Sequence, residues 1–116
     1  MYLEGKFYEL KLRESAYKFT DALSKLDAQI LYKTILRTIL GIDDIRDDSK
    51  IVYSQDKSDG LELKTKVDSG EYKVSFGMLP SNIKELKEIV DGGLVMPPKT
   101  TYIEPKMRSG LVMYEL

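Results

Sequence analysis

Residues 95–116 read VMPPKTTYIEPKMRSGLVMYEL and concentrate three prolines, three cations and three aliphatic hydroxyls in one stretch. Pro97 and Pro98 fix φ at successive positions and hold the approach to Lys99 extended. Lys99 offers an ammonium, and Thr100 and Thr101 offer hydroxyls. Across a hairpin turn expected around PKMRSG, Lys106, Arg108 and Ser109 add two cations and another hydroxyl. Gly110 beside them leaves room for close backbone approach. Such a set suits gripping a phosphate or carboxylate by charge-assisted hydrogen bonds from a stiff loop. The spacing is not that of a nucleotide-binding P-loop, because no Gly-x-x-x-x-Gly-Lys-Ser/Thr run occurs. The same residues fit a plainer role, with lysines guarding an edge strand and prolines ending its pairing.

Composition narrows the chemistry further. The chain has 116 residues, no Cys and no His. Thiolate nucleophiles, disulfides, imidazole acid/base couples and Cys- or His-ligated metal sites are therefore excluded. Catalysis by this chain alone would rest on carboxylates, Lys, Tyr, hydroxyls or a hard cation. A net charge of −1 provides no broad attraction to nucleic acid. Hydrophobic and charged contents of 42% and 32% are those of a globular chain and argue against disorder. No apolar run approaches the roughly 18 residues of a membrane span. Glu4 and Gly5 interrupt the place where a signal peptide needs its apolar core, so a cytoplasmic location is expected.

Two other constellations have ordinary explanations. Asp43, Asp44, Asp47 and Asp48 crowd one loop, and hard oxygen ligands suit Mg²⁺ or Ca²⁺. Their spacing is not that of an EF-hand, and a solvated loop whose aspartates cap turns explains them better. No metal or cofactor is expected. Tyr102 and Tyr114 would fall on the final hairpin, where an aromatic platform is conceivable but packing is the simpler role.

The elements that must position these residues are readable in part. GKFYELKL (5–12) alternates as an opening strand, and residues 13–25 read as loop with a short helical turn. Residues 26–41, LDAQILYKTILRTILG, read as a core helix with Asp27 as N-cap and Gly41 at C′. Ile30, Leu31, Ile35, Ile39 and Leu40 form its apolar face. IVYS (51–54) and EYKVSFGML (71–79) read as strands, the second with Tyr72, Val74, Phe76 and Met78 inward. Residues 60–67, GLELKTKV, fit strand alternation slightly better than helical spacing. Residues 80–93 form a second helix, with an Asn82/Glu85 capping box, a stripe of Ile83, Leu86, Ile89 and Val90, and a Gly92-Gly93 stop. TTYIE and GLVMYEL close the chain as a hairpin. One domain spanning residues 1–116 is expected, with an α+β fold: a mostly antiparallel sheet of about five strands and two or three helices on one face.

These segments, in this order, resemble the prokaryotic domain-of-unknown-function family numbered 1015. The likeness rests on GKFYELKL, LDAQILYKTILRTILGI, KIVY, VDSGEYKVSFGMLP and LKEIVDGGLVMPPKTTYIEPK, followed by the final strand. It covers nearly the whole chain. It departs at Phe7, where Trp or Tyr is common, and over residues 12–25, which are shorter and poorly matched. The resemblance implies that this chain corresponds to the carboxy-terminal part of longer proteins. Their amino-terminal region is similar to the ParB-like fold, a scaffold that elsewhere binds or turns over nucleotides and includes a free-serine kinase. It also implies that Val67-Asp68-Ser69-Gly70 follows a helix, which tips residues 60–67 towards helix. It carries over no catalytic residues.

Two functions remain open from the sequence. One is a non-catalytic accessory, packing or oligomerisation module, with the family's amino-terminal region or a second copy as partner. The other is an anion clamp built from Lys99, Thr100, Thr101, Lys106, Arg108, Ser109 and Gly110. That clamp would serve nucleotide-dependent phosphotransfer to a small metabolite such as serine, an idea that rests on fold-level analogy alone.

Overall fold

The computed structural model describes residues 1–46, 49–54 and 60–99. It is an α+β arrangement of three α-helices and a three-stranded antiparallel sheet. The two strands expected at residues 100–116 lie outside the described residues.

The chain opens with a hairpin of β1 (Tyr2–Leu3) and β2 (Lys6–Phe7). Its two-residue turn places Glu4 and Gly5 at φ 48° and 79°. That sign pattern matches the right-handed twist of paired strands and is the usual reason for glycine at the second turn position. Tyr8 N–H donates to the Met1 carbonyl at 2.8 Å, and the Met1 ammonium donates to the Tyr8 carbonyl at 2.9 Å. β3 (Val74–Ser75) pairs with the other edge of β1, giving the order β2–β1–β3 with Tyr2 opposite both Phe7 and Ser75. Of the opening strand expected at residues 5–12, only Lys6–Phe7 pairs, as the second strand of this hairpin, and only the centre of residues 71–79 joins the sheet. Residues 51–54 form no strand, and Tyr53 instead donates its hydroxyl to the Ile45 carbonyl at 2.8 Å.

The loop expected over residues 13–25 contains two 3₁₀ turns, Glu14–Ala16 and Leu23–Lys25. The second is locked reciprocally: Ser24 N–H donates to Asp21 Oδ1 at 2.7 Å, while Ser24 Oγ accepts from the Asp21 N–H at 3.1 Å. Asp21 stays ionised to lower pH than an ordinary carboxylate, chiefly because of that backbone hydrogen bond from Ser24.

α1 (Asp27–Leu31) begins one residue earlier than an Asp27 N-cap implies, with Leu26 at the N-cap position and Asp27 in the first turn. It passes into a π-helical segment, Tyr32–Leu36. Thr34 Oγ1 donates to the Ile30 carbonyl and Thr38 Oγ1 to the Lys33 carbonyl, each at 2.7 Å. These side-chain bonds compete with the α-helical ladder. Arg37 N–H accordingly donates to Tyr32, five residues back, at 2.9 Å. An inserted residue rotates the next turn by about 100° against a 3.6-residue register. Ile39 is consequently 71% exposed and Leu40 is exposed too, so the expected apolar face is broken and this is not a core helix along its length. Leu26 and Ile42 are buried at its two ends, and Gly41 holds φ 65° as expected of a C′ residue.

α2 (Leu61–Asp68) settles the ambiguous segment as helix. Glu62–Lys66 and Lys64–Asp68 are ion pairs at i,i+4, each joining successive turns of the helix. Gly70, at φ 80°, ends it by donating to the Val67 carbonyl at 3.0 Å.

α3 (Ile83–Asp91) carries the expected capping box. Asn82 Oδ1 accepts from the N–H groups of Lys84 and Glu85, and Glu85 Oε2 accepts from the Asn82 N–H, all at 2.9 Å. Its stripe is only half used. Ile89 is fully buried, whereas Ile83 and Val90 are 75% and 63% exposed. Among the described residues, the buried apolar side chains are Tyr2, Leu26, Ile42 and Ile89. No described helix is long and apolar enough to cross a membrane.

Ile89→Ala is expected to cost about 2–5 kcal/mol, the range for truncating a buried aliphatic side chain. Ile83→Ala at its exposed position should stay within roughly 0.5 kcal/mol of wild type. Urea unfolding of the two variants checks the contrast, and equal costs would mean that α3 packs through its whole stripe.

Candidate functional site

A long-range side-chain network joins the opening hairpin to α2. Tyr2, on the central strand, is 3% exposed. Its hydroxyl donates to Asp68 Oδ1 at 2.5 Å. Asp68 Oδ2 accepts from the Lys64 ammonium, one turn earlier on α2. Lys64 Nζ also lies 5.4 Å from the centroid of the Tyr2 ring, within cation–π range. The Tyr2 ring also meets Phe7 at a centroid distance of 4.6 Å and a tilt of 53°.

Three groups share these protons in a fixed order. Asp68 is held below the usual carboxylate range, first by the Lys64 hydrogen bond and then by that from Tyr2. Tyr2 is pushed up, first because its hydroxyl serves Asp68 and then by burial, with Lys64 opposing. Lys64 is pushed up, first by its bond to Asp68 and then by Tyr2. Over the neutral range the network is an anionic carboxylate held by a cation and a neutral phenol. That describes a carboxylate fixed in place, with no group poised as a general base near pH 7.

A cleft of about 440 Å³ opens beside this network, between the Glu4–Gly5 turn and the carboxy-terminal end of α2. Its walls include Leu3, Glu4, Val67, Asp68, Tyr72 and Lys73. None of these residues stands among those singled out by sequence for chemistry. Glu4-Gly5 between alternating residues is a hairpin signal, and the Lys64/Asp68 spacing is a helical pair, but the Tyr2–Asp68 bond spans 66 residues and has no local signature.

Of the residues expected to form an anion clamp, Lys99 is described. It is exposed and sits at φ 61°, in the left-handed region that non-glycine residues rarely adopt. Thr100, Thr101, Lys106, Arg108, Ser109 and Gly110 lie outside the described residues, as do Tyr102 and Tyr114. In the aspartate loop, Asp44 Oδ1 accepts from the Arg46 N–H at 2.8 Å, an aspartate bonding the backbone two residues on. Asp43 pairs with Arg37 at 3.6 Å, and its carbonyl accepts from the Tyr32 hydroxyl at 2.5 Å. Asp47 and Asp48 lie outside the described residues. Among the described residues no three acidic side chains gather as a metal site.

The Tyr17 hydroxyl is shut off from solvent and has no hydrogen-bond partner among the described residues. Its ring is flanked by Phe19 at 5.4 Å and by the Lys33 ammonium at 5.9 Å.

The chain matches no family model, no curated protein and no solved structure in the comparisons with known proteins.

The network sets a sign for pH dependence. The raised Tyr2 and Lys64 contribute stability present below their ordinary values, about 10 and 10.4, and lost as pH rises through the folded values. The lowered Asp68 contributes stability present above about 3.9 and lost as pH falls through its folded value. The stability advantage of wild type over Tyr2→Phe should therefore be level between roughly pH 5 and 9 and shrink at both extremes. Chemical denaturation across pH measures it, and an advantage independent of pH would remove Tyr2 from the network.

Proposed function

We propose that this chain is an accessory packing module, whose apolar surfaces are completed by a larger partner, and that it has no catalytic activity of its own. The observation that carries this reading is the half-used stripe of α3. On a 100° wheel, Ile83, Val90, Leu86 and Ile89 span about 120°. Ile89 alone is buried, and the opposite edge, Ile83 and Val90, is exposed. Met78, Leu79 and Val95, on the segments that flank α3, are exposed as well. Exposed apolar side chains along a helix and its flanks are the kind of surface a partner covers.

The partner in this reading is the ParB-like amino-terminal region of the family numbered 1015, which the ordered motifs of the sequence resemble. The module's sheet in that setting has about five strands, the final hairpin adding two to the three described. The test is to supply that amino-terminal region of a longer family protein separately and measure association by sedimentation. Complex formation that is lost in Ile83→Glu and Val90→Glu, with little change in either variant's own unfolding, is the expected result. A chain that stays monomeric and ignores the added region overturns the reading.

A second reading is favoured by Lys99. A lysine held at φ 61° directly after Pro97-Pro98 is a local strain of the sort found at ligand-binding loops. In this reading Lys99 and Lys106 neutralise an anionic group, Thr100 and Thr101 orient it, and Arg108, Ser109 and Gly110 complete the clamp for a phosphotransfer site in the partner. A phosphate, ADP or ATP present at 100 times its dissociation constant adds about 2.7 kcal/mol to stability. The thermal midpoint should rise for one of these anions and the rise should vanish in Lys99→Ala; no rise with any of them rejects the clamp.

A further inference from the structure

We propose that the cleft beside the Tyr2–Asp68–Lys64 network binds a small zwitterion with a short apolar stem. Three features of the cleft point to that class. The first is a prepared acceptor. Asp68 is fixed by the Tyr2 hydroxyl and the Lys64 ammonium, each of which occupies a different carboxylate oxygen. Each oxygen keeps a further lone-pair direction, and a side chain held by outer partners is the usual support of a binding group. Asp68 remains 40% exposed along its side chain, so that capacity is open to a ligand.

The second feature is the pairing of charge signs. Glu4, Asp68 and Lys73 all line the cleft. Neither Glu4 nor Lys73 takes part in an ion pair or side-chain hydrogen bond among the described residues. Carboxylates on both sides of the cleft and one unspent ammonium suit a molecule that presents an ammonium to a carboxylate and a carboxylate or phosphate to Lys73. The carboxy-terminal end of α2, which contributes Val67 and Asp68, favours the cationic end of that ligand.

The third feature is the lining between the charges. Leu3, Val67 and Tyr72 give the cleft an apolar stretch. The cleft, about 440 Å³, is wide open to solvent, so it suits a small ligand held at its charged ends. The segments that meet here, residues 3–5 and 67–73, are far apart in sequence, and the packing function proposed above uses neither of them.

The probes are γ-aminobutyrate, leucine and phosphoethanolamine, with butylamine, butyrate and inorganic phosphate as single-charge controls. Amide shifts of Gly5 and Gly70 in the full chain report binding by NMR. The expected result is saturable shifts for at least one zwitterion, with weaker binding of its single-charge controls. Lys73→Ala should weaken that zwitterion about tenfold, and Lys73→Arg should retain it. Lys73 is exposed, so neither variant threatens the fold. The proposal is overturned if no zwitterion shifts these amides, if single-charge controls bind equally well, or if Lys73→Ala binds as wild type does.

Discussion

The described fold depends on how Tyr2 is satisfied. A phenol on the middle strand of a sheet only two residues deep must bury its ring and still find a partner for its hydroxyl. It does both: the ring meets Phe7 of β2 and Lys64 of α2, and the hydroxyl ends on Asp68. One side chain thereby ties the opening hairpin to a helix residue 66 positions further on. Strands this short have too few ladder hydrogen bonds to stand alone. The helix is no more self-sufficient, since eight residues are marginal without tertiary packing. Each element is stable because the other is present.

The rest of the chain obeys a different logic. Its helices are locally well specified but sparsely covered. α3 has a complete capping box and a glycine stop, features that need no tertiary contact, yet it buries one edge of its stripe. The segment from α1 to Leu40 is pinned by Leu26 and Ile42 and exposes Ile39 between them. Strong local signals with thin burial are what a module shaped to be covered would show, because caps stabilise helices alone whereas apolar stripes need an opposing surface.

Legibility in the sequence divides along the same line. The Asn82/Glu85 box, the Gly41 terminus and the aspartate turn at Asp44 are readable because each is settled within a few residues. The helical state of residues 61–68 is finely balanced on periodicity and supported by ion pairs that alternation does not count. The rotation of Ile39 out of the apolar face is hidden because a 3.6-residue wheel assumes an unbroken ladder, and Thr34 and Thr38 break it. The Tyr2–Asp68 site is beyond local reading altogether, since only the folded path brings its parts together. Lys99 stands out in the sequence by its charge, whereas the backbone conformation that sets it apart has no sequence signature in a lysine.

Residue-resolved hydrogen exchange on the chain alone tests the central claim, a self-supporting Tyr2 cluster beside helices that await a covering surface. Protection should be strongest at β1, β3 and α2, with much weaker protection from Thr34 to Leu40 that rises when a partner surface is supplied. Uniform protection across both regions, at the level of global unfolding, would contradict it and show a domain complete in itself.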